Sequence, residues 1–145
     1  MILKLVTPVL SGAFLFLLYT MFLMLVGLPE IKSLLISVII YGAFLEEILK
    51  FLVVLLLIKK YKLPVYSVIL VGLTFGIGEQ IIHIYNGNSI LLASFFMHLG
   101  SGVASWWYFS KKQIRNALIA PVVVHGVYNI GVWLVLWFWL IFVLP

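Results

Sequence analysis

Apolar residues fill five long stretches of the chain, and short polar segments separate them. A helix that crosses the roughly 30 Å of membrane hydrocarbon needs about 20 residues, and each stretch reaches that length. The pattern therefore predicts an all-α protein, a polytopic membrane helix bundle of about five transmembrane helices. We place these helices at residues 4–27, 33–58, 63–85, 89–109 and 113–143.

The first and last stretches differ from a simple span. The first carries one early lysine, Lys4, but no small-residue cleavage site follows its apolar run, so we expect a retained helix and not a signal peptide. The last is longer than a bilayer requires, which predicts that it is tilted, broken near Pro121 or partly interfacial. The whole chain, residues 1–145, has the length of a single domain.

Composition supports lipid as the solvent. Hydrophobic residues make up 66% of the chain and charged residues 9%, against roughly 45–50% and about 25% in soluble domains. The chain has no cysteine, which excludes disulfides and thiolate metal sites. Its net charge of +5 does not indicate nucleic-acid binding, because the basic residues lie at the ends of the apolar runs and fit membrane orientation better.

The basic residues predict how the bundle is oriented. With five spans, the amino terminus shares a side with the connections at 58–64 and 109–116, and the other side has only Lys32, offset by Glu30. Positive charge favours the cytoplasmic side, so we expect a cytoplasmic amino terminus and an external carboxyl terminus. The basic residues on the predicted cytoplasmic side are Lys4, Lys59, Lys60, Lys62, Lys111, Lys112 and Arg115.

Several ionisable side chains lie inside the predicted spans. A charge at a span centre costs about 2.5–3.5 kcal/mol on insertion scales, so such groups are functional candidates. Counting about 1.5 Å per residue from the span ends places Glu46, Glu79, His98 and His125 between mid-membrane and the outer leaflet, where one cluster is possible. These candidates, together with a nearby asparagine, are Glu46, Glu47, Lys50, Glu79, His98, His125 and Asn129.

Helical spacing relates these residues to one another. Lys50 follows Glu46 by four residues and Glu47 by three, which allows ion pairs on one helix. The two adjacent glutamates diverge by about 100° around the helix, so we expect them to have different roles. In the third span, Gly72 and Gly76 form a GxxxG pattern that permits close helix approach.

Carboxylates beside imidazoles suit the activation of water, with a glutamate as general base and histidine or asparagine as donors to an oxyanion. We expect no cofactor. A divalent metal is an alternative, and its ligands would be Glu46, Glu79, His98 and His125. The HExxH pattern of common zinc proteases is absent from the sequence.

Four motifs in separate predicted spans resemble those of PrsW-type intramembrane proteases: EEILK at 46–50, FGIGE at 75–79, HLGSG at 98–102 and HGVYN at 125–129. That family shares a superfamily with the CAAX prenyl proteases, the bacteriocin-processing proteins and the Aph-1 subunit of gamma-secretase. The prenyl protease branch would show EExxxR and FxxxH, whereas Lys50 and Glu79 favour the PrsW branch.

The resemblance implies a catalytic core at 33–143 in a prokaryotic plasma membrane, and a membrane-anchored protein or peptide as substrate. It implies Glu46 as the base that activates water and Glu47 as its partner. The remaining implied site residues are Glu79 and His98 at the water, His125 and Asn129 at the water or oxyanion, and Lys50 and Phe75 in support.

Other functions also fit the residues. A serine protease would use Ser101 with His125, although LGSG lacks the GxSG pattern of rhomboids. A proton or metal ion transporter would use the intramembrane glutamates and histidines as a relay or a metal site, although no inverted repeat is visible. A non-catalytic scaffold or immunity protein on the same fold is a third alternative.

Overall fold

The computed structural model describes residues 2–26, 43–85 and 91–142. These residues form helices and turns and contain no strand, which confirms the all-α prediction. The predicted start of the second span at 33–42, the connection with Glu30 and Lys32, and the turn at 86–90 lie outside the described residues. The helices are α1 (Ile2–Val26), α2 (Ala43–Lys59), α3 (Ser67–Tyr85), α4 (Leu91–Ser110) and α5 (Ile114–Phe142).

Two of these helices are long and apolar enough to cross a membrane, through the segments Ile2–Met21 of α1 and Ile114–Trp139 of α5. Only 17% of the apolar window in α1 and 11% of that in α5 is buried. The central helix of a soluble protein would be mostly buried, whereas both windows are mostly exposed among the described residues.

The third helix begins later than the hydrophobic pattern predicts. Residues 60–66 form a turn, and α3 starts at Ser67 instead of residue 63. The amide of Ser67 donates to the carbonyl of Pro64, and the residue before a proline disfavours helical backbone. Hydrophobicity alone does not detect this boundary, because Leu63, Pro64 and Val65 are as apolar as the helix that follows.

The last helix continues without a break through Pro121. A proline inside a helix leaves the carbonyl four residues earlier, here that of Ala117, without its backbone donor. The hydroxyl of Ser105 on α4 donates to this carbonyl at 2.8 Å. A side chain of the neighbouring helix thus supplies the lost hydrogen bond. Of the three alternatives for this long stretch, the break near Pro121 does not occur.

Helix directions alternate as consecutive spans would. On α1, Gly12 packs against Val71 of α3, and Phe16, one turn further on, packs against Gly78. Both contacts advance along the two chains together, so α1 and α3 run parallel. Their amino-terminal ends therefore lie at the same end of the bundle as the turn at 60–66.

A buried apolar core joins both basic turns at that end. Its members come from the end of α2, the start of α3, the end of α4 and the start of α5. The turns at 60–66 and 111–113 therefore lie side by side, and each contains one lysine in the left-handed region, Lys62 at φ 53° and Lys112 at φ 57°. The core residues are Val54, Leu57, Val68, Val71, Phe109 and Ala117.

Glycines bring α3 and α4 into close antiparallel contact. A Cβ added at Gly72 would lie 3.0 Å from the carbonyl oxygen of His98 and 3.4 Å from the Cα of Gly102. One added at Gly76 would lie 3.0 Å from the Cβ of His98. The predicted GxxxG approach is confirmed, and it holds the backbone around His98 against α3.

Replacing Gly76 by alanine is expected to destabilise the protein by about 1–3 kcal/mol, the range for overpacking a tight contact. The added methyl group would press on the ring and Cβ of His98, 3.0–3.4 Å away. Gly126→Ala is the matched control, because a Cβ at Gly126 meets nothing within 4 Å and alanine favours the helix. Unfolding in detergent measures the stability of both variants. Equal stability of Gly76→Ala and Gly126→Ala would contradict the packing described.

Candidate functional site

Four helices bring the predicted ionisable residues into one buried cluster. α2 contributes three of them, and α3, α4 and α5 contribute one each. The structure thus brings together residues whose predicted depths allowed one cluster. Its members are Glu46, Glu47, Lys50, Glu79, His98 and His125; all are buried except Glu79, whose side chain is 32% exposed.

The ammonium of Lys50 lies at the centre of the cluster. Its Nζ is 2.8 Å from Glu46 Oε1 and 3.1 Å from His98 Nδ1, and it donates a hydrogen bond to Glu47 Oε1. Of its three N–H donors, two have hydrogen-bond partners here, Glu47 and His98, while Glu46 is held by the ion pair. Lys50 therefore connects α2 to α4 through Glu46, Glu47 and His98. It contacts α3 through Phe75, with 4.8 Å between Nζ and the ring centroid.

The two adjacent glutamates have different partners, as their divergence around the helix predicts. Glu47 Oε1 accepts from Lys50 and from His125 Nδ1, the latter at 3.0 Å. Glu46 Oε1 lies 3.4 Å from His98 Nδ1 and 3.6 Å from His125 Nδ1. Among the described residues, no well-oriented hydrogen bond reaches this oxygen of Glu46. Glu47 is thus held by hydrogen bonds, whereas Glu46 depends on its ion pair with Lys50.

His98 is held from both sides of its ring. Its Nε2 lies 2.7 Å from Glu79 Oε2, and its Nδ1 faces Lys50. A carboxylate accepts and an ammonium donates, so the neutral ring that fits carries its proton on Nε2. Ser94 donates to the same Glu79 oxygen. Ser94 is not among the site residues predicted from the sequence, although its position one turn before His98 was the available signal.

The aromatic ring of Phe75 supports the centre of the cluster. It is 1% exposed, and its centroid lies 5.4 Å from that of His98. On its other side, Phe16 and Tyr19 of α1 pack against it with centroid distances of 5.1 Å and 5.7 Å. Phe75 therefore links α1, a helix without a charged member in the cluster, to the position of Lys50 and His98.

Two further predicted residues lie on the helices that carry the cluster's histidines. Asn129 follows His125 by one helical turn on α5 and is half-buried. Ser101, the nucleophile of the serine protease alternative, donates its hydroxyl to the carbonyl of His98 at 3.0 Å. Because that proton is used within α4 and not directed to His125, the described geometry does not form a serine–histidine pair.

A small cavity of about 20 Å³ lies beside Glu47 and Lys50, on the side facing the apolar core. About 10–15 Å³ by this measure holds one water, provided that 2–4 polar groups surround it. Glu47, Lys50, Ser101 and Ser105 all line the cavity. The site therefore has room for one water in contact with a carboxylate.

The cluster also has the chemistry of a metal centre, with ligand atoms of Glu46, Glu47, His98 and His125 all within 4.8 Å of one another. The metal alternative raised from the sequence named Glu79 instead of Glu47. In the structure, Glu79 lies on the far side of the His98 ring, at Nε2, while Glu47 lies within the group. Sequence spacing does not show that Glu47, and not Glu79, lies beside the other three ligands.

Comparisons of the chain with models of protein families, with curated proteins and with solved structures find no match. The resemblance to PrsW-type proteases therefore depends on the four residue motifs alone. The functional conclusion depends on the residues of the cluster and their geometry.

Proposed function

We propose that the chain is a polytopic membrane helix bundle, because many of its apolar side chains are exposed while several charged side chains are buried. Large apolar side chains such as Phe14, Leu17 and Leu52 are 53–64% exposed, whereas the charged Glu47 and Lys50 are 3% and 5% exposed. In water this arrangement would be unfavourable, because apolar burial drives folding there. Lipid around the bundle satisfies the apolar surface and accounts for the buried charges.

We further propose a prokaryotic plasma membrane with the amino terminus in the cytoplasm and the carboxyl terminus outside. The two lysine-rich turns at one end of the bundle support this orientation. The chain has no cysteine, so single introduced cysteines report sidedness without background.

Lys60→Cys is expected to react with a membrane-impermeant maleimide only in inverted vesicles, and Tyr85→Cys only in intact cells. Both positions are exposed, and they lie at opposite ends of α3 and its preceding turn. Labelling of both from the same side would refute the crossing of α3. The opposite pattern at both sites would show that the orientation is reversed.

We propose that the protein is an intramembrane endopeptidase that hydrolyses a peptide bond of a membrane-anchored protein or peptide through a glutamate-activated water. The observation that carries this proposal is the buried group of two carboxylates and two imidazoles from α2, α4 and α5. A general base and donors to a developing oxyanion are what peptide hydrolysis needs. The order of the four motifs gives independent support.

In this proposal Glu46 is the base, because its Oε1 lacks a well-oriented hydrogen bond that a water would have to displace. Glu47 remains bound to Lys50 and His125 and positions both. His98, fixed by Glu79, and His125 face Glu46 at 3.4 Å and 3.6 Å, and Asn129 extends the same side of α5. The cavity beside Glu47 provides a place for water within the bundle.

The experiment is to purify the protein, reconstitute it with fluorescent membrane-anchored peptides, and follow cleavage. Cleavage within or next to the apolar segment, unaffected by a serine-directed fluorophosphonate, is the expected result. Labelling of Ser101 by that reagent with loss of cleavage would favour the serine protease instead.

One observation favours proton transport as a second candidate. Contacts within hydrogen-bonding distance form a continuous path through space from Ser94 to Glu79, His98, Lys50 and Glu47. Glu47 in turn lines the cavity. Glutamate and histidine side chains in series are typical of proton relays. Proton flux into liposomes that is lost in Glu79→Gln would support transport. Flux equal to that of empty liposomes would exclude it and leave the protease or a non-catalytic scaffold.

A further inference from the structure

The ammonium of Lys50 lies in the position that a metal ion would take in this cluster. Nζ is within 3.1 Å of Glu46 and His98 and binds Glu47. Those three residues belong to the group of four whose ligand atoms come within 4.8 Å of one another. The fourth, His125, binds the same Glu47 oxygen at 3.0 Å.

The four ligands are of the kinds that Zn²⁺ and Co²⁺ accept, two imidazole nitrogens and two carboxylate oxygens. All four residues are buried, between 0% and 4% exposed. Buried side chains on three packed helices have little freedom to turn toward other partners. Because their ligand atoms lie within 4.8 Å of one another, small side-chain shifts would bring them to metal-ligand distances of about 2.0–2.2 Å.

Charge supports the same conclusion. The two carboxylates carry two negative charges, and Lys50 supplies one positive charge at their centre. Without the ammonium, a divalent cation would balance both carboxylates, and a buried charge without a counter-charge is unfavourable. Lysine and a divalent metal are therefore mutually exclusive in this position.

We propose that Lys50 is a built-in cation that takes the place of a metal, and that shortening it converts Glu46, Glu47, His98 and His125 into a site for Zn²⁺ or Co²⁺. Lys50 thereby keeps the wild-type centre metal-free. This inference does not rest on the proposed proteolysis, because its test measures metal binding and needs no substrate.

The experiment uses the full chain, purified in detergent and titrated with Co²⁺ while visible absorption is recorded. Wild type and Lys59→Ala, which changes an exposed lysine on the same helix, are expected to bind no cobalt in the cluster. Lys50→Ala is expected to bind about one Co²⁺ per chain with the intense bands of a four-coordinate site. Lys50→Ala/His125→Ala is expected to lose those bands.

A four-coordinate cobalt spectrum from wild type would overturn the proposal, as would Lys50→Ala protein that is folded and binds no cobalt. Binding that persists in Lys50→Ala/His125→Ala would do the same, since the metal would then be elsewhere. If Lys50→Ala folds only in zinc-supplemented medium, that dependence supports the proposal. Equal failure to fold with and without zinc counts against it.

Discussion

Replacing Glu46 by glutamine is expected to reduce peptide cleavage by about 10²- to 10⁴-fold, the contribution typical of a general base. Glutamine keeps the size of the side chain but cannot accept a proton from water. The remaining ion pair between Lys50 and Glu47 should keep the variant folded and inserted. The measurement is the initial rate of cleavage of a reconstituted membrane-anchored peptide, with the melting temperature of each variant as a check on folding.

Glu47→Gln is the matched comparison, because it makes the same chemical change one residue further along α2. It weakens the hydrogen bonds to Lys50 and His125. We therefore expect a loss of stability, and a smaller loss of cleavage rate than in Glu46→Gln. The opposite ranking, with Glu46→Gln active and Glu47→Gln inactive, would assign the base to Glu47 and its adjacent cavity. Full activity in both variants would rule out a glutamate mechanism.

Removing the charge of Lys50 is expected to have the largest effect on stability. Lys50→Met leaves two buried carboxylates without their shared cation, and breaking a buried ion pair costs about 3–5 kcal/mol. Lys59→Met, on the exposed last turn of the same helix, should change stability by no more than about 0.5 kcal/mol. Unfolding in detergent, followed by circular dichroism, measures both variants.

A double variant separates charge from packing. Lys50→Met/Glu47→Gln removes one negative and one positive charge, so it should recover part of the stability that Lys50→Met loses. If the double variant is less stable than Lys50→Met by the full cost of Glu47→Gln alone, the two residues are not coupled. The ion pair between Lys50 and Glu47 would then make no measurable contribution to the free energy of unfolding.

Helix positions were largely predictable, because long apolar runs leave little choice of structure. The predicted stretch at 89–109 corresponds to Leu91–Ser110, and that at 113–143 to Ile114–Phe142. The start of α3 was wrong by four residues, since a proline turn is as apolar as the helix after it. The continuity of α5 through Pro121 could not be predicted, because its compensation comes from Ser105 on another helix.

The members of the cluster were predictable from the cost of placing charge in an apolar segment, but their pairings were not. Sequence spacing indicated the pairs of Lys50 with Glu46 and Glu47, which lie on one helix. Pairings between helices depend on rotation and depth, which apolar stretches do not specify. For that reason the hydrogen bonds from Ser94 to Glu79 and from His125 to Glu47 could be identified only from the structure.

The most direct test of the proposed proteolysis is to compare amino-terminal peptides from cell membranes that contain either the wild type or Glu46→Gln, both shown to be folded and inserted. If the protein is a glutamate-dependent protease, new amino termini are expected beside transmembrane segments of other membrane proteins, present with the wild type and absent with the variant. Identical sets of termini from the two membranes, in cells that also contain the natural substrates, would contradict it.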